Sequence, residues 1–201
     1  MFMPNIAVLT NDLQYEFTYK ITRSPEILAQ KLVQFNQFLD GIRALDQSII
    51  HLQLINDPND PAVQKRYRNR EAGIPALACR PENQIIDKVY RSTDQVVVKG
   101  RDSGFFNNDL DEILQQLGVK TVIVTGLQTH VCVQTTAADA FFRGYNVWVP
   151  DDCVFAPSSE DTERALEWLA SYCATVAPSA EILSILQKQN DLPERGEREA
   201  S

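Results

Sequence analysis

Apolar residues along the chain form two alternating patterns, short continuous runs and longer stretches with helical spacing. Runs such as NIAVLT (5–10), SIIHLQLI (48–55) and KTVIVT (120–125) are typical of strands that are buried on both faces. Between them, apolar positions recur every three or four residues, as in the segment that opens with Ser24-Pro25, an N-cap followed by a first-turn proline. The alternation predicts an α/β fold, a three-layer α/β/α arrangement around a six-stranded, mainly parallel, doubly wound sheet.

The same patterns give the remaining elements and the domain limits. Further strands are predicted at 95–99, 146–149 and 174–176, and further helices at 110–117, 131–142, 159–171 and 180–189. Residues 56–83 contain four prolines and no sustained periodicity, which is typical of a lid, a binding loop or an interface. We therefore expect one domain over residues 1–190 and a polar, disordered tail over 191–201.

Composition narrows the functional classes. The formal net charge of −8 argues against a nucleic-acid partner and against binding to an anionic membrane. No run approaches the ~18 apolar residues of a membrane span, and no basic stretch precedes an apolar one at the start. The four cysteines form no C-x-x-C, so we expect reduced thiols and a cytoplasmic location. With only His51 and His130, a histidine-based metal centre is hard to build.

Three side chains with complementary chemistry follow the ends of predicted strands. Ligands of doubly wound sheets bind at these carboxyl ends, where Asp12, Lys99 and Cys132 fall. A helix N-terminus lowers a thiol pKa, a carboxylate accepts the thiol proton, and an ammonium keeps that carboxylate ionised. Taken singly, the aspartate is more often a turn former, the lysine a surface charge and the cysteine a small core residue. Together they favour nucleophilic catalysis.

Three separated segments resemble the isochorismatase-like cysteine hydrolases. IAVLTNDLQYEF (6–17) resembles the family's apolar strand followed by D-x-Q-x-x-F. KGRDSGF (99–105), with Asn108 and Leu110, resembles K-x-x-x-S-A-F-x-x-T-x-L, and GLQTHVCV (126–133) resembles G-x-x-T-x-x-C-V. Departures are small: Thr10-Asn11 replace apolar residues, glycine replaces alanine at 104, and Asn108 replaces threonine. No catalytic group is lost.

The resemblance to the amidohydrolase branch implies a site in detail. It implies a catalytic triad of Asp12, Lys99 and Cys132, a cis peptide between Leu127 and Gln128, and an oxyanion hole formed by the backbone N–H groups of Gln128 and Cys132. It also implies no cofactor or metal and a homo-oligomer, either a dimer or a tetramer. Apolar walls of a substrate pocket are expected, with ordinary core packing as the alternative, at Phe17, Phe105, Phe106 and Leu127.

The predicted function is therefore a cysteine-dependent hydrolase that cleaves an amide, ureido or carbamoyl C–N bond of a small molecule. The reaction passes through a thioester and releases ammonia or an amine. One alternative is a vinyl ether hydrolase of the isochorismatase type, but such relatives lack the nucleophilic cysteine. Metal-dependent nicotinamidases carry a second histidine that is missing after His51. Another alternative is a non-catalytic binding module, although no G-x-G-x-x-G or P-loop motif occurs.

Two further interpretations concern residues outside the motifs. His51 lies within a predicted strand and is interpreted as a packed residue rather than a metal ligand. The basic run over 65–70 is interpreted as a solvated or subunit-facing surface, with recognition of a substrate carboxylate as the alternative.

Overall fold

A mainly parallel β-sheet forms the centre of the molecule in a computed structural model, which describes residues 5–22 and 24–196. Within those ranges the sheet has seven strands, in the order β3-β2-β1-β4-β5-β7, with β6 paired to β4. The strands are β1 (Ile6–Asn11), β2 (Ser48–Leu54), β3 (Gln95–Lys99), β4 (Thr121–Leu127), β5 (Asn146–Pro150), β6 (Val154–Phe155) and β7 (Thr175–Ala177). All of the strand pairs are parallel, as the pattern of buried apolar runs predicts.

Helices cover both faces of this sheet. They are α1 (Tyr15–Thr22), α2 (Pro25–Ala44), α3 (Pro61–Tyr67), α4 (Leu110–Gln116), α5 (Gln134–Phe142), α6 (Ser159–Tyr172) and α7 (Ser179–Gln189). Because side chains alternate along a strand, Ile6 and Val8 of β1 enter one core with α2 and α7, and Ala7 and Leu9 enter the other with α4, α5 and α6. The predicted three-layer α/β/α fold is confirmed.

Local signals account for the helix starts that the sequence predicts. The Ser24 hydroxyl accepts a hydrogen bond from the Ile27 amide at 3.3 Å, and Pro25 occupies the first turn of α2. Asp60 caps α3 in the same way, accepting from the Ala62 amide at 2.8 Å. Helix α3 lies inside the stretch predicted to be irregular, because seven residues of helix give no sustained periodicity in the sequence.

Three other predictions need correction. The sheet has one strand more than expected, because β6 is too short to show a pattern in the sequence. Helix α1, which begins shortly after β1, was not predicted. The tail is not disordered from residue 191 onward. Leu192 is buried, and the Asn146 amide and the Trp148 indole both donate to the Pro193 carbonyl, at 3.2 and 3.3 Å. An apolar residue and satisfied carbonyls hold this segment on the domain. Residues 197–201 lie outside the described ranges.

The point at which strand order reverses lies between β1 and β4. The backbones of these strands approach so closely that a Cβ on Gly126 would sit 2.2 Å from the Asn11 carbonyl oxygen. Gly126 also has φ +105°, a conformation that residues with side chains rarely adopt. The chain therefore requires glycine beside the expected site. In the part of the chain that the structure describes, no helix combines the length and apolar character of a membrane span.

Candidate active site

Asp12 directly follows β1 and turns its side chain into the sheet edge. Its φ is +54°, in the left-handed region that aspartate tolerates better than most residues, and its amide donates to the Leu52 carbonyl at 3.0 Å. The next turn is held by Gln14, whose side chain accepts from the Leu54 amide at 2.9 Å and donates to the Leu54 carbonyl at 3.1 Å. The D-x-Q pattern thus fixes the carboxylate relative to β2.

Lys99 reaches Asp12 from the end of β3. Strand β2 lies between β1 and β3, so the two backbones are about 9–10 Å apart and a long side chain is needed to cross that gap. The Lys99 ammonium donates to Asp12 Oδ2 at 3.0 Å, and the Lys99 residue is completely buried. The other carboxylate oxygen, Asp12 Oδ1, is buried and accepts no hydrogen bond from any residue that the structure describes.

Cys132 lies in a π-helical turn, Thr129–Val133, between β4 and α5. The turn follows a cis peptide between Leu127 and Gln128, so the geometry implied by the family resemblance is present. The Cys132 thiol is 6% exposed and lies 3.7 Å from a carboxylate oxygen of Asp102. The structure therefore brings Asp12, Lys99 and Cys132 together at one end of the sheet.

Burial dominates the protonation of this cluster. It raises the pKa of Asp12, and the positive charge of Lys99 and the nearby thiol oppose that rise without cancelling it. Burial, joined by the negative charge of Asp12, raises the pKa of the Cys132 thiol well above its usual 9.0. For Lys99, burial favours the neutral form, but attraction to Asp12 and Cys132 outweighs it and raises the pKa.

These directions differ from the expectation that a helix N-terminus lowers the pKa of the Cys132 thiol. A thiol with a raised pKa keeps its proton in the resting site. The buried Oδ1 of Asp12 is an acceptor in the same cluster that Lys99 does not occupy.

Asp12 and Cys132 line a cavity of about 100 Å³, and Lys99 lies behind Asp12, outside the lining. The cavity walls include Phe17 and Leu127, as expected, together with Gln128 and Cys132, whose backbone N–H groups are the predicted oxyanion donors. A cavity of this size accommodates a small molecule rather than a folded chain.

The other two predicted wall residues lie elsewhere. Phe105 belongs to a core cluster, where its ring stacks on Tyr145 with centroids 6.1 Å apart and carries the Arg143 guanidinium over its face. Phe106 is 44% exposed beneath the Arg101 guanidinium. The packing alternative is thus correct for Phe105. Neither ring reaches the cavity because this segment turns away from it after Ser103.

Five residues of the cavity wall were not predicted as site residues: Leu54, Arg66, Tyr67, Asp102 and Val131. Arg66 and Tyr67 are carried on α3, and Arg66 forms a salt bridge with Asp102 at 2.7 Å. Arg66 is 44% exposed, as the surface interpretation of the basic run expects, and it also lines the cavity. A usable signal existed, since Asp60-Pro61 is a helix start that would have placed the basic run on a short helix over the sheet edge.

The two histidines do not converge on a metal site. His51 is buried, with its Nδ1 2.7 Å from the Thr10 hydroxyl and its Nε2 3.1 Å from Asp94 Oδ2, which matches its interpretation as a packed residue. Asn56, which follows β2, donates its amide to the Pro75 carbonyl. Among the described residues, no group of three His, Cys, Asp or Glu side chains is placed to hold an ion. The metal-free site stays a prediction.

Comparison with known proteins shows the family of this chain. A model of the isochorismatase domain matches residues 6–181. The chain belongs to the isochorismatase family. Within this family, a cysteine hydrolase from Pseudomonas syringae pv. phaseolicola is similar in structure, with a TM-score of 0.79 and 25% identity over 94% of this chain and 95% of that one.

Two proteins whose names state an activity are also similar to this chain. Ureidoacrylate amidohydrolase RutB of Yersinia enterocolitica is 35% identical over 110 residues, 49% of this chain and 48% of the relative. N-carbamoylsarcosine amidase from Thermoplasma acidophilum has a TM-score of 0.72 and 27% identity, covering 87% of this chain and 96% of that one. The chain spans about half the length of the curated relatives it matches.

Proposed function

We propose that this isochorismatase-family protein is a cysteine-dependent hydrolase that cleaves non-peptide C–N bonds of small amides, ureido compounds or carbamoyl compounds. The observation that carries the proposal is the placement of the buried Cys132 thiol beside a carboxylate whose Oδ2 is held by Lys99 and whose Oδ1 is free. This combination provides a nucleophile and a base in the wall of one small cavity, with the counter-ion of that base buried behind it.

In the proposed mechanism, Asp12 removes the thiol proton as Cys132 attacks the substrate carbonyl carbon. The carbonyl oxygen becomes an oxyanion, which the backbone N–H groups of Gln128 and Cys132 stabilise. As the C–N bond breaks, Asp12 returns the proton to the departing nitrogen, which leaves as ammonia or an amine. A thioester on Cys132 remains. Asp12 then activates water, which hydrolyses the thioester and regenerates the thiol.

The protonation of the resting site supports this sequence of steps. Because the thiol keeps its proton in the resting site, attack on the carbonyl requires a base, and Asp12 is the carboxylate beside the thiol that can take this role. The raised pKa of Asp12 then makes the protonated carboxyl easier to form than it would be in water. Lys99 stays charged throughout and keeps the Asp12 carboxylate in position.

The proposed substrate class rests on two further observations. The relatives named above act, by their names, on a ureido acid and on a carbamoyl amino acid. The cavity is small and carries charged as well as apolar walls, which suits a compact polar amide. Vinyl ether hydrolysis and simple binding without catalysis are the competing functions.

An ammonia-release screen tests the proposal. The probes are 3-ureidoacrylate, N-carbamoylsarcosine, propionamide and isochorismate, each with and without a chelator. We expect ammonia from at least one nitrogen compound, no effect of the chelator, and an acyl adduct on Cys132 detected by intact-protein mass spectrometry after acid quenching. Turnover of isochorismate alone would assign the protein to the ether hydrolases. Binding of the probes with no turnover would indicate the binding module, and loss of activity with the chelator would contradict a metal-free site.

Two other expectations stay predictions of the same kind. Homo-oligomeric assembly, as a dimer or a tetramer, is measured by light scattering of the purified protein. A cytoplasmic location is measured by fractionation of cells that express it.

A further inference from the structure

Asp102 places a second carboxylate next to the nucleophile. Its backbone carbonyl is fixed by the Lys99 ammonium at 3.2 Å and by the Thr136 hydroxyl at 3.4 Å. Its side chain lines the cavity and is 28% exposed. Among the described residues, that side chain makes hydrogen bonds only with Arg66 and Cys132. Both partners belong to the cavity wall, so both of the side-chain contacts of this carboxylate lie at the site.

The salt bridge with Arg66 leaves the Asp102 carboxylate able to accept further hydrogen bonds. A single nitrogen of Arg66, Nη1, lies 2.8 Å from Oδ1 and 2.7 Å from Oδ2. An ionised carboxylate offers about four lone-pair sites, and the arginine nitrogen and the thiol occupy three of them at most. Arg66 keeps the group charged and aimed into the cavity, while acceptor capacity remains for a ligand.

The position of Asp102 fits a particular part of an amide substrate. A carbonyl carbon ready for attack lies about 3–3.5 Å from the thiol sulfur. Asp102 Oδ1 is 3.7 Å from the same sulfur. The nitrogen bonded to that carbonyl carbon then comes within hydrogen-bonding distance of Oδ1, at about 2.9 Å, when the amide N–H points away from the oxyanion donors.

We propose that Asp102 determines substrate specificity by accepting an N–H from the nitrogen attached to the scissile carbonyl. The inference rests on the proposed function and extends it. Asp102 favours primary amides, ureido groups and carbamoyl groups over the esters of the same acids, which offer no donor there. The K-x-x-x-S motif leaves position 102 open, so the family resemblance assigns it no role.

Asp102 does not duplicate Asp12. Asp12 is buried against Lys99 and has an oxygen free of hydrogen bonds, whereas Asp102 has both oxygens on Arg66 and faces the cavity. The negative charge of Asp102 also contributes to the raised pKa of both Asp12 and Cys132. An N–H donated to Asp102 offsets part of that charge, so a substrate that bears one is favoured electrostatically as well.

Matched probes test this role. Propionamide and methyl propionate share an acyl group and differ in whether an N–H is attached to the carbonyl. We expect Asp102→Leu to lower kcat/KM for propionamide about 10- to 100-fold, the cost of removing a charged hydrogen-bond acceptor, while kcat/KM for methyl propionate changes less than about threefold. Asp102→Asn keeps the shape of the side chain and one oxygen. We expect its kcat/KM for propionamide to lie between that of Asp102→Leu and that of the wild type.

Asp60→Asn is the matched control. Asp60 forms a salt bridge with Arg101 and is also 28% exposed, but it lies outside the cavity. Asp60→Asn keeps the cap of α3, and we expect an unchanged ratio of amide to ester turnover in that variant. The pH dependence of alkylation of Cys132 by iodoacetamide, read by peptide mass spectrometry, reports whether the thiol itself has changed.

The outcomes separate the two proposals. An equal fall for amide and ester in Asp102→Leu would overturn the specificity role and make Asp102 a general support of Cys132. A loss of ester turnover alone, or an Asp60→Asn ratio that shifts as far as that of Asp102→Asn, would also overturn it. If the wild-type protein hydrolyses the ester and none of the nitrogen compounds of the screen, the proposed C–N hydrolase function fails. The Asp102 inference fails with it.

Discussion

Strand β3 carries a buried carboxylate cluster at each of its ends, and the two clusters differ in how their oxygens are used. At the start of the strand, Asp94 accepts from Arg43 Nε at 3.0 Å through Oδ1, and from the Arg91 amide at 2.9 Å through Oδ2, which also lies 3.1 Å from His51 Nε2. At the end of the strand, Lys99 holds one oxygen of Asp12 and leaves the other free.

The pKa values shift in opposite directions as a result. Burial raises the pKa of both carboxyls, but at Asp94 the hydrogen bonds from His51 and Arg43 outweigh burial and lower the pKa well below its usual range. At Asp12 the ion pair with Lys99 does not outweigh the effect of burial, so the pKa is raised. A fully satisfied carboxylate is a structural anchor, whereas an incompletely satisfied one can still exchange a proton.

The largest expected effect comes from removing the nucleophile. Cys132→Ala should lower kcat at least about 10,000-fold, because no other thiol or hydroxyl is proposed to attack the carbonyl. Steady-state ammonia release measures it. Cys79→Ala, at an exposed thiol, is the control and should keep wild-type turnover. A Cys132→Ala protein that retains near-full activity would exclude the thioester route.

Lys99→Met removes the ammonium that donates a hydrogen bond to Asp12 Oδ2. We expect kcat/KM to fall about 100- to 1,000-fold, since Asp12 then loses its counter-ion and favours the protonated form. The acidic limb of the pH profile should also move to higher pH. Lys120→Met, on an exposed side chain just before β4, should change neither quantity. An unaltered pH limb in Lys99→Met would show that Lys99 does not set the charge of Asp12.

Asp94→Asn acts on the other end of β3 and should affect stability rather than catalysis. Loss of the charge leaves Arg43 without its buried partner, so we expect the free energy of unfolding in urea to fall by about 3 kcal/mol with kcat within about threefold of wild type. Asp40→Asn is the matched control, because Asp40 pairs with the same arginine at 53% exposure and should cost less than about 1 kcal/mol. Equal costs for the two variants would refute the anchoring role of Asp94.

The smallest expected effect is a difference between the pH at which activity is lost and the lower pH at which the protein unfolds. The lowered pKa of Asp94 means that its stabilisation is present above the unfolded-state value near 3.8 and is lost as pH falls through its folded-state pKa. The raised pKa of Asp12 means that the base is protonated at a pH where Asp94 is still ionised. Acidification should therefore abolish kcat/KM before it unfolds the protein. Coincident loss of activity and of circular dichroism would contradict the comparison.

The elements differ in how far they could be predicted. Long buried strands and capped helices such as α2 follow from local pattern, because burial on both faces and N-capping leave direct marks in the sequence. β6 has two residues and α3 has seven, which is too few for a repeated pattern, and the packing of the segment around Leu192 depends on side chains about 45 residues away. Contacts of that kind have no local signal.

The sequence by itself determined the α/β fold and the family. It also placed Asp12, Lys99 and Cys132 at the ends of strands, because strand ends and motif spacing can be identified from local sequence. Tertiary structure decided which other side chains face the thiol. Arg66 and Asp102 meet across the cavity from segments 36 residues apart, while Phe105 and Phe106 turn away from it. Tertiary structure also decided the protonation of the cluster, because the pKa of a buried group depends on desolvation and on charges that only folding brings within a few ångströms.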